Sequence, residues 1–252
     1  MKKSLTEVNH SPLEKVASSF NVKGENKFQE GNVKVIGVSG SPIKDSNTDR
    51  ALKMALEATG LETEFIKLKD YTIAPCQACL GCVKTNRCVI EDDGIELAEK
   101  VKAADALIVG AFTPYSSLDS RTKAFLERLY ALRHRHGFMM GKPGGAIITC
   151  AVPEGNEMLP PAFDMGKNAV MFYMMEEGME FAGAARVDGN VPCIKCGQDT
   201  ECKISGLAML YGEDATPESV GVNIFEEQPQ AVESVKALGQ KIGQMLRDKT
   251  HE

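Results

Sequence analysis

The sequence predicts an α/β protein built on a doubly wound parallel sheet. Three observations carry that expectation: five short β-branched or apolar runs, a helical pattern after each of them, and the apolar character of the third and fourth runs throughout, as expected of strands covered on both faces.

The elements follow in chain order. VKVIGV (33–38) breaks into Ser39-Gly40-Ser41-Pro42, a strand entering a loop. A helix starts near Thr48, with Leu52, Ala55 and Leu56 on one face and Ser46 or Asn47 as its N-cap. TEFIKL (63–68) alternates as a second strand, a cysteine-rich loop follows, and Ile95, Ala98 and Val101 mark a helix led by Asp92 and Asp93. ALIVGA (106–111) is the third strand, and Phe125, Leu129 and Leu132 trace the helix behind it. GAIIT (145–149) is the fourth, followed by a Met-rich helix over about 162–177, whose methionines read as core or interface. MEFAGAARV (179–187) is a fifth strand, and Ala231, Val235, Leu238, Ile242 and Met245 give the terminal helix.

Five such units suggest the flavodoxin-like order 2-1-3-4-5, in which ligands sit at the carboxyl ends of strands 1, 3 and 4. Residues 1–31 read as a polar extension with a short helix over 13–20, and 32–187 as the sheet domain, with a cysteine loop at 74–93. Residues 188–228 form a cysteine-containing insertion too long for an ordinary connection, and 229–252 the helix that completes the fold.

Composition narrows the function. Twenty-nine Lys and Arg against 35 Asp and Glu leave a formal charge of −6 without a basic block, which argues against nucleic acid or an anionic membrane as partner. No apolar run approaches the ~20 residues of a membrane span, and the opening residues lack the apolar stretch of a secretory signal. The expectation is a cytoplasmic protein with a packed core.

The loop 39–48, SGSPIKDSNT, joins the first strand to the first helix. Small residues let the backbone fold round an anion, hydroxyls donate, and the helix N-terminus adds free N–H groups. GxxxxGK[ST] and GxGxxG are both missing, so neither a nucleoside-triphosphate loop nor a dinucleotide fingerprint is present. Ser39, Ser41, Pro42, Ser46, Asn47 and Thr48 suit a phosphate monoester such as that of FMN; the alternative is a capped turn without a ligand.

Seven of the eight cysteines fall in two segments. Cys76, Cys79, Cys82 and Cys88 lie within thirteen residues, and Cys193, Cys196 and Cys202 repeat the CxxCxxxxxC spacing of the last three. In a reducing compartment such clusters mean metal or redox chemistry. The first group can wrap one iron–sulfur cluster; a four-cysteine zinc site is the alternative, although a tight triple suits a zinc tetrahedron poorly. The second group offers three thiolates to a second cluster or zinc, with Cys150, Glu201, a histidine or a neighbouring subunit as fourth ligand, or else serves as redox thiols. Cys150 reads first as a small buried hydrophobe. The basic stretch Arg133-His134-Arg135-His136 reads as a solvated helix end, or as a grip on an NADPH phosphate or an acidic partner.

Three ordered motifs carry a family resemblance: VKVIGVSGSPIKDSNT, the four-cysteine run, and Thr113-Pro114-Tyr115-Ser116-Ser117 with RTKAFLER behind it. Over about 33–187 the chain resembles the iron–sulfur flavoproteins, a branch of the NADPH-dependent FMN reductase superfamily. The resemblance implies FMN phosphate at Ser39, Ser41, Ser46, Asn47 and Thr48 and the isoalloxazine ring against Pro114, Tyr115, Ser116 and Ser117. The loop after strand 4, including Ala151, Val152 and Glu154, would approach the ring from the other side; it departs from the glycine- and histidine-containing loop of many relatives. The resemblance also implies a 4Fe-4S cluster on Cys76, Cys79, Cys82 and Cys88, ferredoxin or NAD(P)H as electron donor, and a homo-oligomer, dimer or tetramer. The implied activity is an electron-transfer oxidoreductase in which cofactors, not a catalytic side chain, carry the reaction. Its alternatives are a zinc-stabilised NAD(P)H:FMN or quinone reductase and a non-enzymatic metal-binding protein of the same fold.

Overall fold

The computed structural model describes residues 34–198 and 201–250. The expected N-terminal extension and its short helix lie outside the described residues. Five parallel strands form one sheet in the order β2-β1-β3-β4-β5: β1 Lys34–Ser39, β2 Glu62–Lys67, β3 Ala106–Phe112, β4 Pro143–Cys150 and β5 Glu180–Asp188. The predicted doubly wound order is the one found. β1, β3 and most of β4 are buried, as their unbroken apolar runs require.

Helices cover both faces. Asn47–Thr59 (α1) and Pro229–Thr250 (α8) pack together on one, and two glycines set how closely: a Cβ at Gly239 would stand 2.1 Å from the Ala55 carbonyl oxygen, and one at Gly243 2.3 Å from that of Thr59. On the other face Gly94–Ala103 (α2), Ser120–Arg128 (α3) and Ala162–Glu176 (α4) bury Leu97, Val101, Phe125, Leu126, Val170 and Met174 against Ile36, Val38, Leu107 and Val109. The Met-rich helix thus supplies core through Met174, while Met165 remains exposed.

The insertion carries three short helices, Cys193–Cys196 (α5), Gly206–Tyr211 (α6) and Pro217–Val220 (α7). Its stem is fastened by amide side chains. Asn223 donates to the Gly189 carbonyl at 2.7 Å, Asn190 to that of Asn223 at 3.0 Å, and Gln228 to that of Asp188 at 3.0 Å.

Candidate functional site

Three loops meet at the carboxyl edge of the sheet. After β1, Ser46 caps α1 by accepting from the Asp49 N–H at 3.2 Å, and the Asp49 carboxylate accepts from the Ser46 N–H at 3.1 Å. This reciprocal box follows from Ser-x-x-Asp at the helix start and leaves the other first-turn N–H groups to the loop. Asp49 is buried, accepts from the Ser39 hydroxyl at 2.6 Å and pairs with the Lys67 ammonium at the end of β2. Lys67 also donates to the Ile43 carbonyl at 2.6 Å. The ammonium offsets a buried anion beneath a loop expected to hold another.

The hydroxyls and amide of this loop have separate tasks. Ser39 is committed to Asp49; the buried Ser41 hydroxyl accepts from the Ile43 N–H at 3.3 Å and keeps its own proton to donate. Thr48 meets Thr149 of β4, oxygen to oxygen, at 2.8 Å. Asn47 donates to the carbonyls of Asp188 and Asn223 at 3.2 and 2.8 Å, joining the loop to the insertion stem. Pro42 follows Ser41 in the exposed turn.

The loop after β3 is shaped by strain. Tyr115 and Ser116 are consecutive left-handed residues (φ 52° and 55°), Ser117 returns its N–H to the Pro114 carbonyl, and the Tyr115 ring is fully exposed. A left-handed L-residue costs about 1–2 kcal/mol, and here two follow one another, the Ser116 side chain buried and the Tyr115 ring in solvent. Asp119 fixes its far end, capping α3 and accepting from the Thr122 N–H at 2.9 Å and hydroxyl at 2.7 Å. Gly40 permits this meeting of loops, since a Cβ there would fall 1.9 Å from the Thr122 hydroxyl oxygen.

After β4, the Val152 carbonyl accepts from Arg186 at 2.7 Å, and Glu154, Phe163 and Arg186 help line a cavity of about 190 Å³. Ala151 is half-buried at the start of this loop. Cys150 is buried at the end of β4, and burial pushes its thiol up to about 11. It behaves as the small apolar side chain expected.

The four-cysteine loop lies elsewhere. Asp92 and Asp93, expected simply to lead a helix, close its base: Asp92 accepts from the N–H groups of Ala74 and Gly94 at 2.8 and 2.9 Å, and Asp93 from that of Thr72 at 2.7 Å. The buried Arg128 guanidinium ties both ends, donating to the Ala74 and Ile90 carbonyls at 3.0 and 3.1 Å. At the tip, buried Asn86 donates to the Ala131 and His134 carbonyls at 2.9 and 2.7 Å. The Cys82 sulfur lies 3.2 Å from the His134 Nε2. The basic stretch is therefore part of the loop's seat, and Arg133 is occupied with Glu176 at 3.3 Å.

Cys82 feels the other three thiols as neighbouring charges; burial and then those neighbours push its pKa up. Among the described residues, no three Cys, His, Asp or Glu side chains stand together as ligands of a single ion. His134 follows α3 and the 3-10 turn Leu129–Leu132. The Asp119 cap that closes the β3 loop stands at the opposite end of α3 from His134 and Cys82. The structure brings the phosphate-type, β3 and β4 loops together, and sets the Cys82 end of the cysteine loop apart from them.

The NADPH-dependent FMN reductase family model matches residues 33–177. The chain belongs to this family. It is 36% identical over 118 residues to an iron–sulfur flavoprotein from Methanosarcina thermophila, covering 46% of this chain and 62% of that one. It is 37% identical over 129 residues to another from Methanocaldococcus jannaschii, covering 50% and 66%. The chain thus spans about two thirds or less of these relatives' own length. RosB, solved with bound 8-demethyl-8-formylriboflavin-5'-phosphate, has the same fold, with a TM-score of 0.58 at 15% identity over 86% of this chain and 81% of that one.

Within the family's span, residue patterns disclose the loop after β1 and the thiols, whereas the left-handed pair Tyr115 and Ser116 is a finding of the structure. The patterns do not disclose Lys67, Thr149, Arg128 or Asn86, whose roles depend on partners 18 to 101 positions away. The capping pair Ser46 and Asp49 was legible as Ser-x-x-Asp, but not its burial or its lysine.

Proposed function

We propose that the protein is an FMN- and 4Fe-4S-dependent oxidoreductase that passes electrons between one-electron and two-electron carriers. The observation that carries this reading is a four-thiol loop built into a domain of the FMN reductase family. When bound, FMN exchanges electrons singly or in pairs, and an iron–sulfur cluster exchanges them one at a time.

The residues fit both groups. The Ser41 hydroxyl and the α1 N-terminus would hold the phosphate, with Lys67 keeping Asp49 from repelling it. The Pro114–Ser116 turn and Ser117 would receive the ring, and Val152 and Glu154 its other side. Cys76, Cys79, Cys82 and Cys88 would hold the cluster. Their loop is anchored at base and tip, which limits the rearrangement that accompanies an electron's arrival.

The placement of Cys82 at the end of α3 away from the cap of the β3 loop supports a homo-oligomer in which one subunit's cluster faces another's flavin. Ferredoxin or NAD(P)H would be the donor. The test is anaerobic purification with FMN, iron, acid-labile sulfide and zinc measured per chain, followed by reduction with NADPH or reduced ferredoxin and by mass in solution. Stoichiometric FMN with iron and sulfide is expected. Zinc without sulfide would replace this reading with a zinc-stabilised flavin reductase.

A further inference from the structure

The match to the family ends at residue 177, and the second cysteine group lies beyond it. Cys193, Cys196 and Cys202 repeat the spacing of Cys79, Cys82 and Cys88, and the structure adds three observations.

The first is local geometry. Cys193 and Cys196 occupy the ends of the single turn α5, three residues apart and so on one face. Gly197, left-handed at φ 71°, ends that turn and sends the chain back. The Cys193 sulfur accepts the Gly206 N–H at 3.3 Å, and a Cβ at position 206 would itself stand 3.3 Å from the sulfur. A backbone N–H directed at a cysteine sulfur is the outer contact that orients a metal-ligating thiolate.

The second is the shortage of core. Among the described residues of 192–224, Leu207 alone is buried, while Ile204, Met209, Tyr211, Val222 and Ile224 are exposed. Helices of four, six and four residues cannot stand alone. Ordering each residue costs about 1–2 kcal/mol, and one buried leucine contributes about 1.5–3 kcal/mol. Small segments so poor in apolar burial are held by disulfides or metals.

The third is where the fastening stops. Asn47, Asn190, Asn223 and Gln228 fix the stem. Between Pro192 and Val222 the hydrogen bonds of the described residues are short-range in sequence: Gly206 to Cys193, Ala208 to Ser205, Ser219 to Thr216, Ile194 to Val191. Among the described residues, neither cysteine group has three side chains at the separation of one ion's ligands.

We propose that Cys193, Cys196 and Cys202 form a second thiolate metal centre, a zinc ion or an iron–sulfur cluster, that staples the segment 192–224. Binding releases the thiol protons to solvent and couples metal affinity to the ordering of the segment. This does not rest on the electron-transfer reading, which concerns the first group.

The test uses the full chain, purified without oxygen, with iron, sulfide and zinc counted for wild type, Cys193→Ser/Cys196→Ser and Cys76→Ser/Cys79→Ser. The Cys193→Ser/Cys196→Ser protein should lose a fixed increment of metal, keep the remainder and its FMN, and be cleaved several-fold faster within 192–224 in limited proteolysis. The Cys76→Ser/Cys79→Ser protein should keep that increment. Iron with sulfide would identify a cluster, and zinc without sulfide an ion. Metal content unchanged by Cys193→Ser/Cys196→Ser overturns the proposal, as does complete metal loss from a folded Cys76→Ser/Cys79→Ser protein. Should that variant not fold, Cys202→Ala in the otherwise intact chain decides: it must lower metal per chain while FMN stays bound.

Discussion

The buried Arg128 guanidinium and the part-buried Asp92 carboxylate form an ion pair, 2.6 Å between Nη1 and Oδ2, at the base of the four-cysteine loop. Asp92 also accepts two backbone N–H groups, and Arg128 donates to carbonyls before Cys76 and after Cys88, while its buried Nε has no hydrogen-bond partner among the described residues. Although burial opposes ionisation, the Arg128 hydrogen bond and the backbone donors hold Asp92 below the usual carboxylate range.

Arg128→Met leaves that part-buried carboxylate with its backbone donors but no cation, and both ends of the loop lose a donor. The expected loss is about 1.5–3 kcal/mol of stability, with reduced iron retention. Arg128→Lys keeps the charge but loses the planar fork, and should retain stability better than it retains iron. Urea unfolding and iron per chain measure the two; iron retention equal to wild type in both variants would remove Arg128 from the loop's support.

Lys67→Met tests the electrostatics of the phosphate-type loop. Asp49 would remain buried with hydroxyl and N–H partners but no cation. FMN affinity should fall about tenfold or more, equivalent to about 1.4 kcal/mol or more, because phosphate would then approach an uncompensated carboxylate. Fluorescence titration of the flavin-free protein reads this directly. Affinity equal to wild type would mean that the phosphate sits elsewhere.

Tyr115→Gly separates strain from binding. Glycine accepts the left-handed conformation without the Cβ penalty, so the flavin-free protein should lose no stability and gain up to about 1 kcal/mol. Flavin affinity should drop with loss of the exposed ring. Unfolding midpoints with and without FMN distinguish these effects, and undiminished affinity would detach Tyr115 from the flavin.

Glu177 gives stability its own pH dependence. Burial pushes its carboxyl up to about 7, above the ordinary 4.5, despite Arg133 4.0 Å away. Between those values the folded protein holds a proton that the unfolded chain has released, so this contribution to stability declines as pH rises towards 7 and is lost above it. The decline is about 3 kcal/mol in order of magnitude. Glu177→Gln should flatten it, leaving the variant more stable than wild type at pH 8. Denaturant midpoints across pH 4.5–8 provide the check; parallel curves for the two proteins would show that Glu177 is not responsible.

The sequence by itself determined the strand order, the loops at the sheet's carboxyl edge and the grouping of the thiols. Those features are written in local patterns: apolar runs such as 106–111, the Ser-x-x-Asp start of α1, and cysteines three residues apart. Tertiary structure alone decided which hydroxyls stay available to a ligand, since Ser39 donates to Asp49 while Ser41 accepts from Ile43 and, among the described residues, has no acceptor for its own proton. It also decided that Asn47 reaches the insertion stem, that Asp92 serves the cysteine loop as well as a helix, and that His134 abuts Cys82. A hydrogen-bond partner is chosen by proximity after the chain has packed, and proximity between positions tens of residues apart leaves no periodic trace in the chain.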